Sequence, residues 1–497
     1  MEAAGARQPK LRSACDRCYD LKERCERPTT SAGCARCKRL SLVCTTARPV
    51  RPPGRRAHRG KAFMPGGASK PGRKQQQYDP AIDACLTVIL DEQPQDKELL
   101  LFLLCRPESL DQYVVCPSFQ VEQQRSLAVH FPSALASLKD AYLACAITLK
   151  QLQSGTKSDM NASVSLGYIT KAMSTLHSIS ISSSQDVALC HALGGALAFS
   201  IYSAVGVGVP DICRYCLGTT RPFMDTGISG AHDDPWENFL IMLDTMDCLV
   251  HRLNPIRQIQ VPAKGFAVDR HLGLCLPLMP YYYDLCVISN LLLKTTEVND
   301  LDSLHKQLDD IHAAVEAWQP SNSEQLIKQF SGPAEIVNLL AQAKAYRLGA
   351  LLMVHRLRFP FGQEDARAEI WSKEVLMELQ MAKLVTNMQM RFVTLPFIVA
   401  AVEVQEKSLR VKTLQQVDDC VDRFAPSMQN VTKTFLTRVW HERDLNITKR
   451  WFDSVHKPCP VLDSIDTTCF NNQVAGEAEN FSSQFGKLGR DLSGQIF

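Results

Sequence analysis

The sequence has no Gly-rich phosphate-binding loop, no G-x-S-x-G motif and no H-E-x-x-H motif. It therefore gives no support to phosphoryl transfer, serine-hydrolase or zinc-peptidase chemistry, and we expect a protein that is not an enzyme. The first seventeen residues contain no apolar run, so we also expect no secretory signal. A reducing compartment follows from this expectation, and there clustered cysteines favour metal binding over disulfides.

Long apolar runs are also scarce. One uncharged run, residues 187–210, is long enough to span a bilayer. It is interrupted by His191, Pro210 and several Gly and Ser residues, and no Lys/Arg cluster flanks it. We expect a buried core helix and no membrane partner; a membrane-associated protein stays the less favoured alternative.

The net charge of +3 conceals an uneven distribution. Residues 1–78 contain 19 Lys and Arg against 5 Asp and Glu, which gives +14, and the remaining residues carry −11. A basic head on an acidic body indicates a polyanionic partner for the head.

Six of the nineteen cysteines lie within thirty residues. The pattern C-x2-C-x6-C occurs twice, at Cys15, Cys18, Cys25 and again at Cys34, Cys37, Cys44. Zinc takes four ligands, and each half supplies only three thiolates. Two zinc ions need eight ligand positions, so six thiolates suffice if one cysteine of each half bridges the metals. The spacing therefore predicts a binuclear cluster with two Zn²⁺ as cofactor.

All six cysteines fit the pattern of the fungal-type Zn2Cys6 binuclear zinc cluster transcription regulators, which this block resembles. The resemblance implies that Cys15 and Cys34 bridge the metals and that each half forms a short helix followed by a strand. It also implies a DNA-binding domain over residues 12–47 whose first helix, about 16–21, enters the major groove.

By the same resemblance, Lys22 contacts the bases of a CGG-type triplet in double-stranded DNA. A Lys ammonium can donate to guanine N7 and O6. Four nearby basic residues are candidates for phosphate contact: Arg17, Arg24, Arg36 and Lys38. Tyr19 stands where the family usually has a basic residue, and Asp20 and Glu23 add negative charge beside the reading position.

Residues 48–78 are rich in Pro, Gly and basic residues and lack periodicity, so we expect a flexible basic linker. Its Arg51, Arg55 and Arg56 are candidates for DNA contact, in keeping with a minor-groove arm. The same run is equally typical of a nuclear import signal. We expect a nuclear protein in either case.

Apolar residues recur at helical spacing after Asp79, in segments around 135–152, 301–318, 336–357 and 371–388. The second segment has a core-facing stripe that begins at Leu301, and the stripe of the fourth consists of Trp371, Val375, Leu379, Ala382, Val385 and Met388. They predict a large all-α regulatory domain over residues 79–455, followed by a poorly ordered tail over residues 456–497. The motif HRLRFPFG at 355–362 resembles a segment of the regulatory region of the same family.

Family members often dimerise through a coiled coil after the linker. Pro94 interrupts the apolar residues at that place, so no coiled coil is expected. A homodimer formed through the helical domain stays open.

Together these features predict a sequence-specific, zinc-dependent transcription factor, with the transcription machinery as partner. An activator of RNA polymerase II genes is expected from the family, with a pathway-specific role in secondary metabolism as an option. The alternative is a zinc-stapled chromatin or protein adaptor without base specificity.

Overall fold

A computed structural model places the chain in two compact units, Met1–Gln75 and Gln76–Phe497. The structure describes residues 15, 18, 25–26, 33–45, 79–111, 113–154, 159–204, 208–224, 235–261, 268–294, 298–320, 330, 332–422 and 425–455. The predicted linker (48–78) and tail (456–497) lie outside these residues.

The first unit contains helix α1, Ala35–Arg39. The helix begins where the sulfur of Cys34, at the N-cap position, accepts a hydrogen bond from the Cys37 backbone N–H. It ends at Leu40, and Ser41 then takes a left-handed conformation with φ of 51°. Residues 42–45 continue without helical structure, and no strand is assigned to them. Of the first predicted helix, 16–21, only Cys18 is described, and it is helical.

The described part of the second unit is mostly helical. Its helices are α2 (Pro80–Ile89), α3 (Pro94–Cys105), α4 (Gln120–His130), α5 (Leu135–Ser154), α6 (Asp159–Ser178), α7 (Ser184–Ala204), α8 (Val209–Met224), α9 (Pro235–His251), α10 (Met279–Lys294), α11 (Val298–Ala317), α12 (Pro333–Arg358), α13 (Asp365–Thr386), α14 (Thr394–Ala401), α15 (Lys407–Cys420), α16 (Pro426–Asp444) and α17 (Phe452–Val455).

The expectation of an all-α domain is confirmed for these residues. Their only extended pairing is an isolated bridge between Asp269 and Gly273. Helix α2 begins with ordinary capping chemistry: the Asp79 carboxylate accepts from the Ala81 backbone N–H, and Pro80 occupies the first turn. The four predicted segments correspond to α5, α11, α12 and α13.

Helix α7 contains most of the uncharged run, residues 187–204, and is long and apolar enough to cross a membrane. It is mostly buried and lies against α5, α6, α8 and α9. Two glycines allow this packing. A Cβ atom on Gly194 would lie 2.3 Å from the Cys216 sulfur, and one on Gly195 would lie 2.2 Å from the Trp236 ring. The structure therefore accounts for the small residues of this run by close helix packing.

The apolar stripe predicted on α13 is only partly buried. Val375, Leu379 and Ala382 lie in the core, whereas Val385 is 67% exposed. In α11 the first residue of the predicted stripe, Leu301, is 37% exposed. The assignment of Val385 to the core-facing side was wrong, because the helix carries a second apolar stripe on its outer face.

A buried histidine gives the second unit a defined response to pH. His271 is 1% exposed and packs against Phe239, with ring centroids 4.9 Å apart. Burial lowers its pKa to about 4, so the folded chain holds it neutral. An unfolded chain takes up that proton near pH 6.5, so stability present above that pH is lost as the pH falls towards 4.

We therefore expect the unfolding free energy to fall by about 2 kcal/mol between pH 7 and pH 5 because of His271. His271→Phe keeps the ring packing and removes the titration. Urea unfolding at both pH values should show a smaller loss for this variant than for the wild type. Equal losses in the two chains would contradict the assignment.

Candidate metal centre

Four of the six clustered cysteines bring their thiols together in the first unit. The sulfur atoms of Cys15, Cys18, Cys34 and Cys37 all lie within 4.8 Å of one another, and all four residues are buried. Cys25 and Cys44 do not belong to that group and are half-buried. The described residues thus contain a set of four thiols that can hold a metal ion.

The two halves repeat the same local hydrogen bonds nineteen residues apart. The Cys15 backbone N–H donates to the Cys25 sulfur, and the Cys34 N–H donates to the Cys44 sulfur, both at 3.3 Å. The Cys18 N–H donates to the Cys15 sulfur at 3.5 Å, and the Cys37 N–H to the Cys34 sulfur at 3.4 Å. The sulfurs of Cys25 and Cys44 are therefore linked to the four buried cysteines through hydrogen bonds from the backbone N–H of Cys15 and of Cys34, respectively.

The sulfur spacing fits tetrahedral zinc. With a Zn–S bond of about 2.3 Å, two sulfurs on one zinc are about 3.8 Å apart. Three pairs are separated by 3.8 Å: Cys15 with Cys34, Cys15 with Cys37, and Cys18 with Cys34. Cys15 and Cys34 each contact a sulfur of the opposite half. Two tetrahedra that share the Cys15–Cys34 edge contain all three pairs; a single site of four thiols contains them too.

Backbone hydrogen bonds favour ionisation at these same two cysteines. The Cys37 N–H lowers the pKa of the Cys34 thiol to about 6. The Cys18 N–H, in the corresponding place, lowers the pKa of Cys15. Cys18 responds in the opposite direction, since its contact with the Cys15 sulfur raises its pKa to about 12. A cation in the group would favour the thiolate form of all these sulfurs.

Two of the predicted phosphate contacts lie on α1. Arg36 is half-buried and Lys38 is exposed, and they flank the buried Cys37. Arg39 adds a third basic side chain in the last turn of the same helix. The other predicted DNA contacts lie outside the described residues: Arg17, Lys22, Arg24, Arg51, Arg55 and Arg56.

A second polar centre lies in the second unit and was not predicted from the sequence. We call Arg356, Asp365, Glu403 and Arg443 the buried junction. Arg356 is 1% exposed and donates to both carboxylate oxygens of Glu403, at 2.8 and 2.6 Å. It also donates to Asp365 at 2.8 Å, and Arg443 donates to the other Asp365 oxygen at 3.0 Å.

The motif at 355–362 wraps around this junction. The guanidinium carbons of Arg356 and Arg443 lie 4.9 and 4.3 Å from the centre of the Phe361 ring. Gly362 has φ of +87°, and its N–H donates to the Asp365 carboxylate. Burial opposes the ionisation of Asp365, but the charge and hydrogen bond of Arg356 outweigh it and hold the Asp365 pKa below its usual value. The junction ties together α12, α13 and α16 and the segment that follows α14.

Comparison with known families agrees with a regulatory role for this unit. Residues 237–462, a little under half of the chain, match the family model of the fungal specific transcription factor domain. The match contains the whole buried junction and does not extend to the cysteine segment. No curated protein and no solved structure matches the chain. The family match supports a fungal-type transcription regulator, which suggests a nuclear protein rather than an enzyme.

Proposed function

We propose that the chain is a nuclear, sequence-specific DNA-binding regulator of transcription whose head is a binuclear zinc cluster. The observation that carries the proposal is the near-identical sulfur geometry of the two cysteine halves, in which Cys15 and Cys34 each contact a sulfur of the opposite half. These two residues are the bridging ligands, and Cys18, Cys25, Cys37 and Cys44 complete the two sites. The ions organise a head whose described core consists of cysteines.

The metal serves to present basic side chains to DNA. Arg36 and Lys38 on α1, with Arg17 and Arg24 of the first half, contact phosphates, and Arg51, Arg55 and Arg56 of the linker extend this contact. Lys22 reads the triplet. In the second cysteine half, the position that corresponds to Lys22 lies nineteen residues further on and is Ser41. The base-reading Lys therefore occurs in the first half only. The helical unit, which contains the family match, regulates output. Activation is the form that the family favours, and a pathway-specific role in secondary metabolism is a separate part of the proposal.

Replacement of Lys22 tests this assignment. We expect Lys22→Ala to reduce discrimination between a CGG-type triplet and other triplets by about 1–3 kcal/mol, because the base contact is lost while the cluster stays folded. The measurement is the affinity of the full chain for duplexes that differ only in the triplet, at several salt concentrations. Lys38→Ala is the control, and it should weaken binding to all duplexes equally and reduce the salt dependence.

Two results would count against the proposal. Equal affinity of the wild-type chain for every triplet would favour the zinc-stapled adaptor. If Lys22→Ala changed only the salt dependence, Lys22 would be a phosphate contact, and another residue would read the bases.

A further inference from the structure

A serine at the end of α1 lies close in the chain to two exposed cations. Ser41 is exposed, and its hydroxyl forms no hydrogen bond with a described residue. Lys38 and Arg39, in the last turn of α1, are exposed too, and neither pairs with a carboxylate in the part of the chain that the structure describes. We call these three residues the Ser41 site.

The turn that ends α1 positions Ser41. The Leu42 N–H donates to the Cys37 carbonyl at 2.9 Å, and the Ser41 N–H donates to the Lys38 carbonyl at 3.2 Å. These two bonds close the helix at Ser41, whose φ of 51° is left-handed. Val43, two residues further on, is 80% exposed. Ser41 therefore lies outside the helix, in a surface segment that a modifying enzyme can reach.

The residues around Ser41 form a pattern that basophilic serine kinases recognise. Lys38 and Arg39 precede the serine by three and two residues, and the apolar Leu42 follows it. Kinases of this class select substrates by charge: their carboxylates pair with basic side chains at these two positions. Ser41 is the only Ser or Thr of the sequence with a basic residue at both positions.

We propose that Ser41 is a phosphorylation site for a basophilic serine kinase and that its modification weakens DNA binding. The second part rests on the proposed function. The Ser41 Oγ attacks the γ-phosphorus of ATP, and the bond from that phosphorus to the oxygen of the ADP leaving group breaks. The hydroxyl proton passes to the catalytic carboxylate of the kinase.

The charge of the second cysteine half gives this modification a large effect. Residues 34–44 contain three basic residues and no Asp or Glu. A phosphoserine adds about −1.5 to −2 charges at pH 7, which offsets more than half of that positive charge. Lys38 and Arg39 are close enough in the chain to form charge-assisted hydrogen bonds with the phosphate. They would then no longer be available to the phosphates of DNA.

The position of Ser41 also predicts which property of DNA binding changes. Ser41 corresponds to Lys22 of the first half, and Lys22 itself is chemically unaltered by the modification. Loss of the phosphate contacts of the second half lowers the affinity for every sequence, because such contacts carry no sequence information. Phosphorylation should therefore weaken binding without changing the discrimination between triplets.

The first test is phosphorylation of the zinc-loaded full chain by the catalytic subunit of cyclic-AMP-dependent protein kinase with ATP. Tandem mass spectrometry should locate phosphate on Ser41. Ser41→Gly should remove it, and glycine tolerates the left-handed backbone. Arg39→Gln should slow the reaction at Ser41 about tenfold or more, since it removes a recognition charge but keeps the hydroxyl.

Ser174→Ala is the matched control. Ser174 is exposed and has Lys171 three residues before it, but Ala172 lies at the second position. This variant should be phosphorylated at Ser41 like the wild type. Absence of phosphate from Ser41, or an unchanged rate in Arg39→Gln, would overturn the site.

The second test is the affinity of the phosphorylated chain for duplexes that differ only in the triplet. We expect a loss of about 10- to 100-fold for every duplex and a smaller salt dependence. Ser41→Gly treated with the same kinase should keep its affinity. An unchanged affinity, or a loss confined to the CGG-type triplet, would contradict the proposed effect. A wild type that binds every triplet equally, yet loses affinity on phosphorylation, would contradict base reading and support the Ser41 site.

Discussion

Arg356→Ala should lower the unfolding free energy of the helical unit by about 3–5 kcal/mol, one of the two largest effects expected for any single replacement in this chain. The change leaves the Glu403 carboxylate, 1% exposed, without the donor that contacts both of its oxygens. It also removes the donor to the Phe359 and Pro360 carbonyls and one side of the stack on Phe361. Urea unfolding followed by circular dichroism measures the difference.

Arg367→Ala is the control for this prediction. Arg367 lies near the start of α13, is 53% exposed and stacks on Trp371 with its guanidinium carbon 4.8 Å from the ring. An exposed arginine of this kind contributes at most about 1 kcal/mol. Arg356→Lys should not rescue the loss, because an ammonium cannot reproduce the two parallel hydrogen bonds to Glu403. A loss below about 1 kcal/mol for Arg356→Ala would show that the junction does not hold these helices together.

Cys34→Ala should abolish binding of both zinc ions and of specific DNA, which is the second large effect. Removal of a bridging thiolate leaves three protein ligands at each metal, and the buried core of the head, in its described residues, consists of the cysteines themselves. Cys44→Ala removes a terminal ligand instead. It leaves Cys15, Cys18, Cys25 and Cys34 as a complete set of four, so we expect one zinc ion to remain.

Metal analysis of the two purified variants separates these cases. Cys105→Ala provides the baseline, because Cys105 lies in α3 of the helical unit, outside the cysteine cluster. Zinc contents of about zero for Cys34→Ala and one for Cys44→Ala support the bridged arrangement. Equal losses in both variants would mean that Cys34 is not shared between two metals.

The helices were predictable from the sequence because apolar residues that recur at helical spacing lie on one face of a helix, and that face is usually buried. Val375, Leu379 and Ala382 show this for α13. The same rule assigned Val385 to the core and missed the exposed apolar residues on the outer face of α13. When a helix has apolar residues on two faces, their spacing in the sequence does not separate the buried face from the exposed one. Only the packing of neighbouring helices shows which face is covered.

The two polar centres differ in how far the sequence reveals them. The repeated spacing of the cysteines predicts six ligands, and the structure brings the thiols of four of them, Cys15, Cys18, Cys34 and Cys37, into one group. The spacing does not give the 3.8 Å separations, which depend on how the two halves pack. The buried junction left no such pattern: Arg356 and Glu403 are 47 residues apart and resemble ordinary surface charges. The motif HRLRFPFG was the one signal near it, and periodicity alone cannot reveal that its first arginine, Arg356, is buried.

The most direct test of the zinc cluster is the number of zinc ions bound to the intact full-length chain, measured by native mass spectrometry. Two bridging thiolates predict two zinc ions per chain, held by Cys15, Cys18, Cys25, Cys34, Cys37 and Cys44. A single ion would contradict the binuclear arrangement, because the close group of Cys15, Cys18, Cys34 and Cys37 would then be a complete site in itself.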